Sequence, residues 1–192
     1  MNRGCHRGAW RIARRRALEL GLGLALAPRL ALAQTEAARE RPKEGDLLVA
    51  VTAGSNPEPL KPDDVPLGDK QTFAWPMDPD TKTVRDGSRL NKVLLLRLDA
   101  ESFAPETKDR AAEGVLAYSA ICVHTGCDVT NWDPKRQLLE CPCHYSTYDP
   151  KDGAKVVSGP APRRLPALPL KLVDARLVVA KPFTGRAGFQ QM

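Results

Sequence analysis

Beyond its first 33 residues the chain carries four cysteines and two histidines, and all six lie between positions 122 and 144. They form two boxes, Cys122-Val123-His124-Thr125-Gly126-Cys127 and Cys141-Pro142-Cys143-His144-Tyr145-Ser146. Thiolates and imidazoles crowded into so short a stretch point to metal chemistry or to disulfides rather than to ordinary core use of these residues. A Cys2His2 zinc site draws on the same residue types, but it would leave two cysteines over in an unusual C-x-H and C-x-x-H pairing. Two disulfides would use all four cysteines and leave both histidines without a role.

The patterns C-x-H-x-G-C and C-P-C-H-x-S resemble the signature of Rieske iron–sulfur proteins, with every fixed position present. The resemblance runs over about residues 117–165. It implies one [2Fe–2S] cluster, with Cys122 and Cys141 binding one iron and His124 and His144 the other. It also implies a disulfide between Cys127 and Cys143 that ties the two loops together. The charge balance fits such a centre. Two ferric ions, two sulfides and two thiolates sum to zero beside neutral imidazoles, so an added electron meets less repulsion than in a four-thiolate cluster. Potentials of about −150 to +300 mV follow, against about −400 mV for plant-type ferredoxins. Imidazole ligands also let electron transfer couple to proton transfer.

Residues around the boxes place the chain within the family. Ser146 and Tyr148 match positions whose hydroxyls donate to cluster sulfurs in high-potential members, which favours the reduced state. Gly159-Pro160-Ala161-Pro162 resembles the loop that covers the cluster, stiff and poor in N–H donors. These features resemble the iron–sulfur subunit of a quinol-oxidising complex of the cytochrome bc type, with cytochrome b and cytochrome c type partners and quinol as a candidate donor. Tyr118-Ser119, Tyr145 and Gly185-Arg186 are similar to a second group, the small subunits of periplasmic molybdenum oxidoreductases of the arsenite oxidase kind, whose partner is a molybdopterin large subunit. Thr125 stands where bc-type proteins usually place Leu, and Tyr145 where they usually place Gly. Both departures put quinol docking by this surface in doubt. A Rieske oxygenase would need a further 2-His-1-carboxylate iron, and no histidine remains to build one outside the boxes and the leader. The chain is therefore expected to have no catalytic site of its own.

The elements that must hold these boxes read as β-structure. Apolar stretches at 46–51, 93–98, 115–119 and 137–140 predict strands, and 168–173 with 175–180 predicts a hairpin with Asp174 near its turn. Residues 56–66, rich in Pro and acids, predict a loop, with Phe73, Trp75 and Pro76 packing that excursion onto the core. Helical periodicity is missing beyond the leader. The expectation is an all-β chain, a Rieske-type antiparallel β sandwich with a small cluster-binding subdomain at about 117–165. A polar linker at 34–46 precedes a domain over 47–192.

Residues 1–33 hold seven arginines and one acid, so this leader accounts for the whole net charge of +6 and the remainder is neutral. That distribution argues against a nucleic-acid surface. An Arg-rich start, an apolar run over 17–27 and Ala31-Leu32-Ala33 before Gln34 fit an export signal, and Arg15-Arg16 resembles the twin-arginine type. The alternative is a retained N-terminal anchor and membrane association, although the run is about half the ~20 residues a span needs. Either way the chain is expected in the periplasm or on the periplasmic face of the inner membrane. Cys5 and His6, inside the leader, receive no role.

Overall fold

The structure, a computed structural model, describes residues 36–189, and a compact unit begins at Ala38. The leader expectations lie outside the described residues. No helix among the described residues is long and apolar enough to cross a membrane.

Among the described residues, ten strands form two antiparallel sheets. The larger contains β1 (Leu47–Ala50), β2 (Thr72–Met77), β3 (Val93–Arg97), β4 (Val115–Ser119), β9 (Leu170–Val173) and β10 (Arg176–Val179), in the order β4-β3-β2-β1-β10-β9. Its two edges meet, because Leu168 N donates to Ala117 O and Ser119 N donates to Pro166 O, each at 2.9 Å. The smaller sheet, β5 (Asn131–Asp133), β6 (Leu138–Glu140), β7 (Thr147–Asp149) and β8 (Lys155–Ser158), lies in sequence between β4 and β9.

The apolar run of β3 has no alternation because both of its faces are buried. Val93 and Leu95 join Leu48, Val115, Leu168 and Leu177 in one core cluster. Leu94 and Leu96 join Tyr118, Val123, Leu139, Tyr148 and Leu165 in the other, which fastens the small sheet and the cysteine boxes to the large one. At the β9–β10 hairpin, Asp174 and Ala175 both take positive φ, 49° and 59°, the backbone of a tight hairpin turn whose twist matches the strands.

Two expectations need correction. Phe73, Trp75 and Pro76 belong to β2 itself rather than to an excursion laid on the core. Proline is tolerated because β3 pairs only with Thr72, Phe73 and Ala74, so Pro76 lies past that ladder and owes it no N–H. The segment expected as a linker at 34–46 is bound into the domain from Ala38 onward. Gly87 N donates to Ala38 O at 3.0 Å and Asn91 Nδ2 donates to Glu40 O at 2.7 Å. Arg85, 1% exposed, donates to Asp46 at 2.7 and 2.9 Å and to Glu40 at 2.8 Å. A buried guanidinium needs carboxylates around it, and this polar segment supplies them. The hydrogen bond to Asp46, above all, holds the Arg85 pKa above its ordinary value.

Candidate functional site

Each box is a loop at the same end of the small sheet. The first leaves β4 and enters β5; the second joins β6 to β7. Short backbone bonds fold each loop on itself. Cys122 N donates to Cys127 O at 2.7 Å and Gly126 N to Cys122 O at 3.1 Å. In the second box, Cys141 N donates to Ser146 O at 2.9 Å and Tyr145 N to Cys141 O at 3.0 Å. Cys127 and Cys143 are joined by a disulfide, so the loops are tied covalently. The sulfurs of Cys127, Cys141 and Cys143 lie within 4.8 Å of one another, and of these three only Cys141 keeps a free thiol.

The four cysteines and histidines of the boxes outside the disulfide sort by depth. Cys122 and Cys141 are free thiols, 0% and 1% exposed. His124 is half-buried and His144 exposed, their rings perpendicular with centroids 4.6 Å apart. Burial, and then the neighbouring Cys122, push the Cys141 thiol above its usual range. A metal reverses that preference by binding the thiolate. Nδ1 of His124 is buried with no hydrogen-bond partner, an arrangement that costs free energy unless something else satisfies the nitrogen. Two buried thiols and an orphaned imidazole nitrogen in linked loops fit the donor chemistry of a mixed sulfur–nitrogen iron centre.

The surroundings are set by hydroxyls and a close-fitting loop. Tyr148, fully buried on β7, places its hydroxyl 3.1 Å from Cys122 Sγ. Burial, and next the Cys122 sulfur, raise its pKa, so it keeps its proton. Ser146 Oγ accepts from Ala161 N at 3.1 Å, which leaves the hydroxyl hydrogen free to donate elsewhere. Ala161 belongs to the 159–162 loop, which lies against the second box. That approach requires glycine at its start: Gly159 has φ +89°, and a Cβ there would fall 2.5 Å from Ser146 Cα and 2.8 Å from Tyr145 O. Tyr145 takes φ +58° with its ring 67% exposed. The turn favours glycine, yet a large side chain is held there in solvent. Thr125, at the tip of the first box, is exposed.

Sequence reading missed an ionic clamp beside the first box. Lys92 Nζ and Arg89 Nη2 donate to Asp128, next to the disulfide, at 2.7 and 2.6 Å, and Lys92 also lies 4.6 Å from the Phe73 ring centroid. Burial works to raise the Asp128 pKa, but the bonds from Lys92 and Arg89 outweigh it and the net shift is downward. The partners are 36 and 39 residues apart, a distance at which charges along a chain carry no pairing signal.

Comparison with known proteins agrees with this geometry. The family model of the Rieske [2Fe–2S] domain matches residues 75–169. A cytochrome bc1 complex Rieske iron–sulfur subunit of Streptomyces lividans is 34% identical over 134 residues, covering 68% of this chain and 76% of that one. The chain belongs to the Rieske iron–sulfur family. A Rieske subunit named for a respiratory nitrate reductase in Haloferax mediterranei is 41% identical over 107 residues, covering 54% of this chain and 47% of that protein. The chain thus spans less than half the length of that relative. Among solved structures, the soluble domain of Rieske protein II from Sulfolobus acidocaldarius aligns at 26% identity with a TM-score of 0.36, over 46% of this chain and 61% of that one. As a Rieske protein, the chain carries a [2Fe–2S] cluster and transfers electrons.

Proposed function

We propose that Cys122 and Cys141 hold one iron of the cluster, that His124 and His144 hold the other, and that the protein is the iron–sulfur subunit of a quinol-oxidising respiratory complex of the cytochrome bc type. The observation that carries the ligand assignment is the sorting by depth, with two free buried thiols and two outer imidazoles in loops tied by one disulfide. The cluster supplies one-electron chemistry. Tyr148 holds its proton toward Cys122 Sγ, where the hydroxyl offsets negative charge on the sulfur. Ser146, anchored by Ala161 N, offers a second hydroxyl on the same side of the box. The 159–162 loop excludes water from that flank, and His144 meets solvent or a partner, where an imidazole nitrogen can take up or release a proton.

The choice of complex is supported by the Streptomyces relative's name and by the two hydroxyl positions. Its partners would then be cytochrome b and a c-type cytochrome. We assign the protein to the periplasm or the periplasmic membrane face, exported through a twin-arginine leader, on the strength of the Arg-rich start and of a disulfide that an oxidising compartment sustains. The Haloferax relative supports a second reading, service to a nitrate-reducing complex, and the exposed Tyr145 and Thr125 suit a partner other than quinol. Purified protein should contain iron and labile sulfide and show a Rieske-type EPR signal when reduced; zinc alone would end the ligand assignment. Recovery from native membranes with a cytochrome b supports the first complex, and recovery with a molybdopterin subunit overturns it.

A further inference from the structure

The C-terminal stretch after β10 crosses back over the site. Thr184 N donates to Ala167 O at 2.8 Å, and Ala167 N donates to Thr184 Oγ1 at 2.9 Å. Beyond it, one nitrogen of Arg163, Nη2, donates to Arg186 O at 2.9 Å and to Gly188 O at 3.0 Å. Ala187, between them, is 2% exposed. Gly188 has φ +75°, and a Cβ there would lie 2.7 Å from Leu90 Cδ2 and 3.4 Å from Ile121 Cγ2. Ile121 immediately precedes Cys122. Phe189 follows, and a Cβ on Gly126 would stand 3.9 Å from its own Cβ. The segment therefore lies against both ends of the first box. Arg163, in turn, directly follows the 159–162 loop that lies against the second box.

We propose that Arg163 is a positioning residue that fastens residues 186–189 across the first box as a further wall of the site, so that one side chain couples the cover of each box to the other. The inference rests on the reading of the first box as a ligand loop. It follows from two observations: two backbone carbonyls are gathered on one guanidinium nitrogen, and residue 188 takes φ +75° so close to Leu90 that a Cβ there would push the Leu90 side chain aside. Phe189 is left 47% exposed beside Gly126, an apolar side chain that its own burial does not hold in place.

The test uses the full chain, loaded with its cluster, and four variants: Arg163→Met, Arg163→Lys, Gly188→Val and the double variant Arg163→Met/Gly188→Val. Hydrogen exchange read by mass spectrometry over residues 120–128 should quicken by about fivefold in Arg163→Met, the scale expected for losing one hydrogen-bonded anchor. Gly188→Val should do the same by displacing the segment. The double variant should exchange no faster than the quicker single one, because both act through one strap. Arg163→Lys, which keeps a multivalent N–H donor, should stay near the parent. Iron release to a chelator should quicken in the same two single variants. Unchanged exchange over 120–128 in Arg163→Met overturns the proposal, and so do effects that multiply in the double variant or iron release equal to the parent's. A parent that holds no iron would instead sink the ligand assignment and leave the exchange arm standing.

Discussion

Replacing Tyr148 by Phe isolates one term in the cluster's potential. The ring is fully buried, so Phe keeps its packing and removes only the hydroxyl, which lies 3.1 Å from Cys122 Sγ. A hydrogen bond to a charged acceptor is worth about 1.5–3 kcal/mol and one to a neutral acceptor about 0.5–1.5 kcal/mol. Reduction adds one negative charge that the cluster and its thiolates share, so the bond should favour the reduced state by about 1 kcal/mol. For a one-electron couple, 59 mV corresponds to a factor of ten, about 1.4 kcal/mol, so the potential should fall by about 40 mV. Protein-film voltammetry of parent and variant measures this directly. Tyr118→Phe is the control. Tyr118 is also buried, but its hydroxyl donates to Pro150 O at 2.6 Å, away from either free cysteine. That variant should lose stability and keep its potential. A Tyr148→Phe shift under about 10 mV, or any rise, would refute the assignment of the hydroxyl to the cluster sulfur, because it would put the differential term below about 0.3 kcal/mol.

Other perturbations probe the frame. Arg85→Met strands the 3%-exposed Asp46 carboxylate and should cost about 3–5 kcal/mol, whereas Arg97→Met breaks a bridge to the 90%-exposed Asp63 and should cost less than about 1 kcal/mol; thermal melts followed by circular dichroism rank the two, and equal losses would count against the buried pair. Asp128 has its pKa lowered in the fold, burial being outweighed by Lys92 and Arg89, so its contribution is complete above the unfolded carboxyl value and disappears as pH falls through the folded one. Urea midpoints should therefore drop less steeply on acidification in Asp128→Asn than in the parent, and parallel profiles would reject that role. Tyr145→Gly relieves a non-glycine residue at φ +58° and should raise the melting point by the equivalent of about 1 kcal/mol, and an unchanged or lower melting point would reject strain at this turn.

What the sequence made readable was whatever lies contiguous along the chain. The two boxes declare themselves because their chemistry fits in six residues each, and β4 stands at 115–119 because it is a continuous apolar strand. The β9–β10 turn shows at Asp174 for the same reason. The strands at 131–133 and 147–149 escaped notice because three residues cannot express an alternation and neither has the adjacent leucines that mark β6. β2 was obscured by Pro76, which reads as a breaker until the partial ladder with β3 is known. Glu40 and Asp46 looked like solvated linker charges, since the arginine that draws them inward comes 39 residues after Asp46. The clamp on Asp128 and the Arg163 strap are equally nonlocal. In each case the missing information was a long-range partner rather than a local propensity.

The path of the chain between β4 and β9 carries a consequence for how such a protein can be altered. The excursion that holds both boxes departs at Ser119 and returns at Pro166, and those two points share a hydrogen bond of 2.9 Å. An insert whose ends touch can be joined to its host at one place, and what else it asks of that host is the core it shares with Leu94, Leu96 and Tyr118. The redox unit is thus a cassette seated on the six-stranded sheet. It could be exchanged for another of different potential, or moved to a foreign host, if the graft rebuilds the shared core with Leu94 and Leu96, the Lys92 and Arg89 clamp on Asp128 and the Arg163 strap as well as the two adjacent joints.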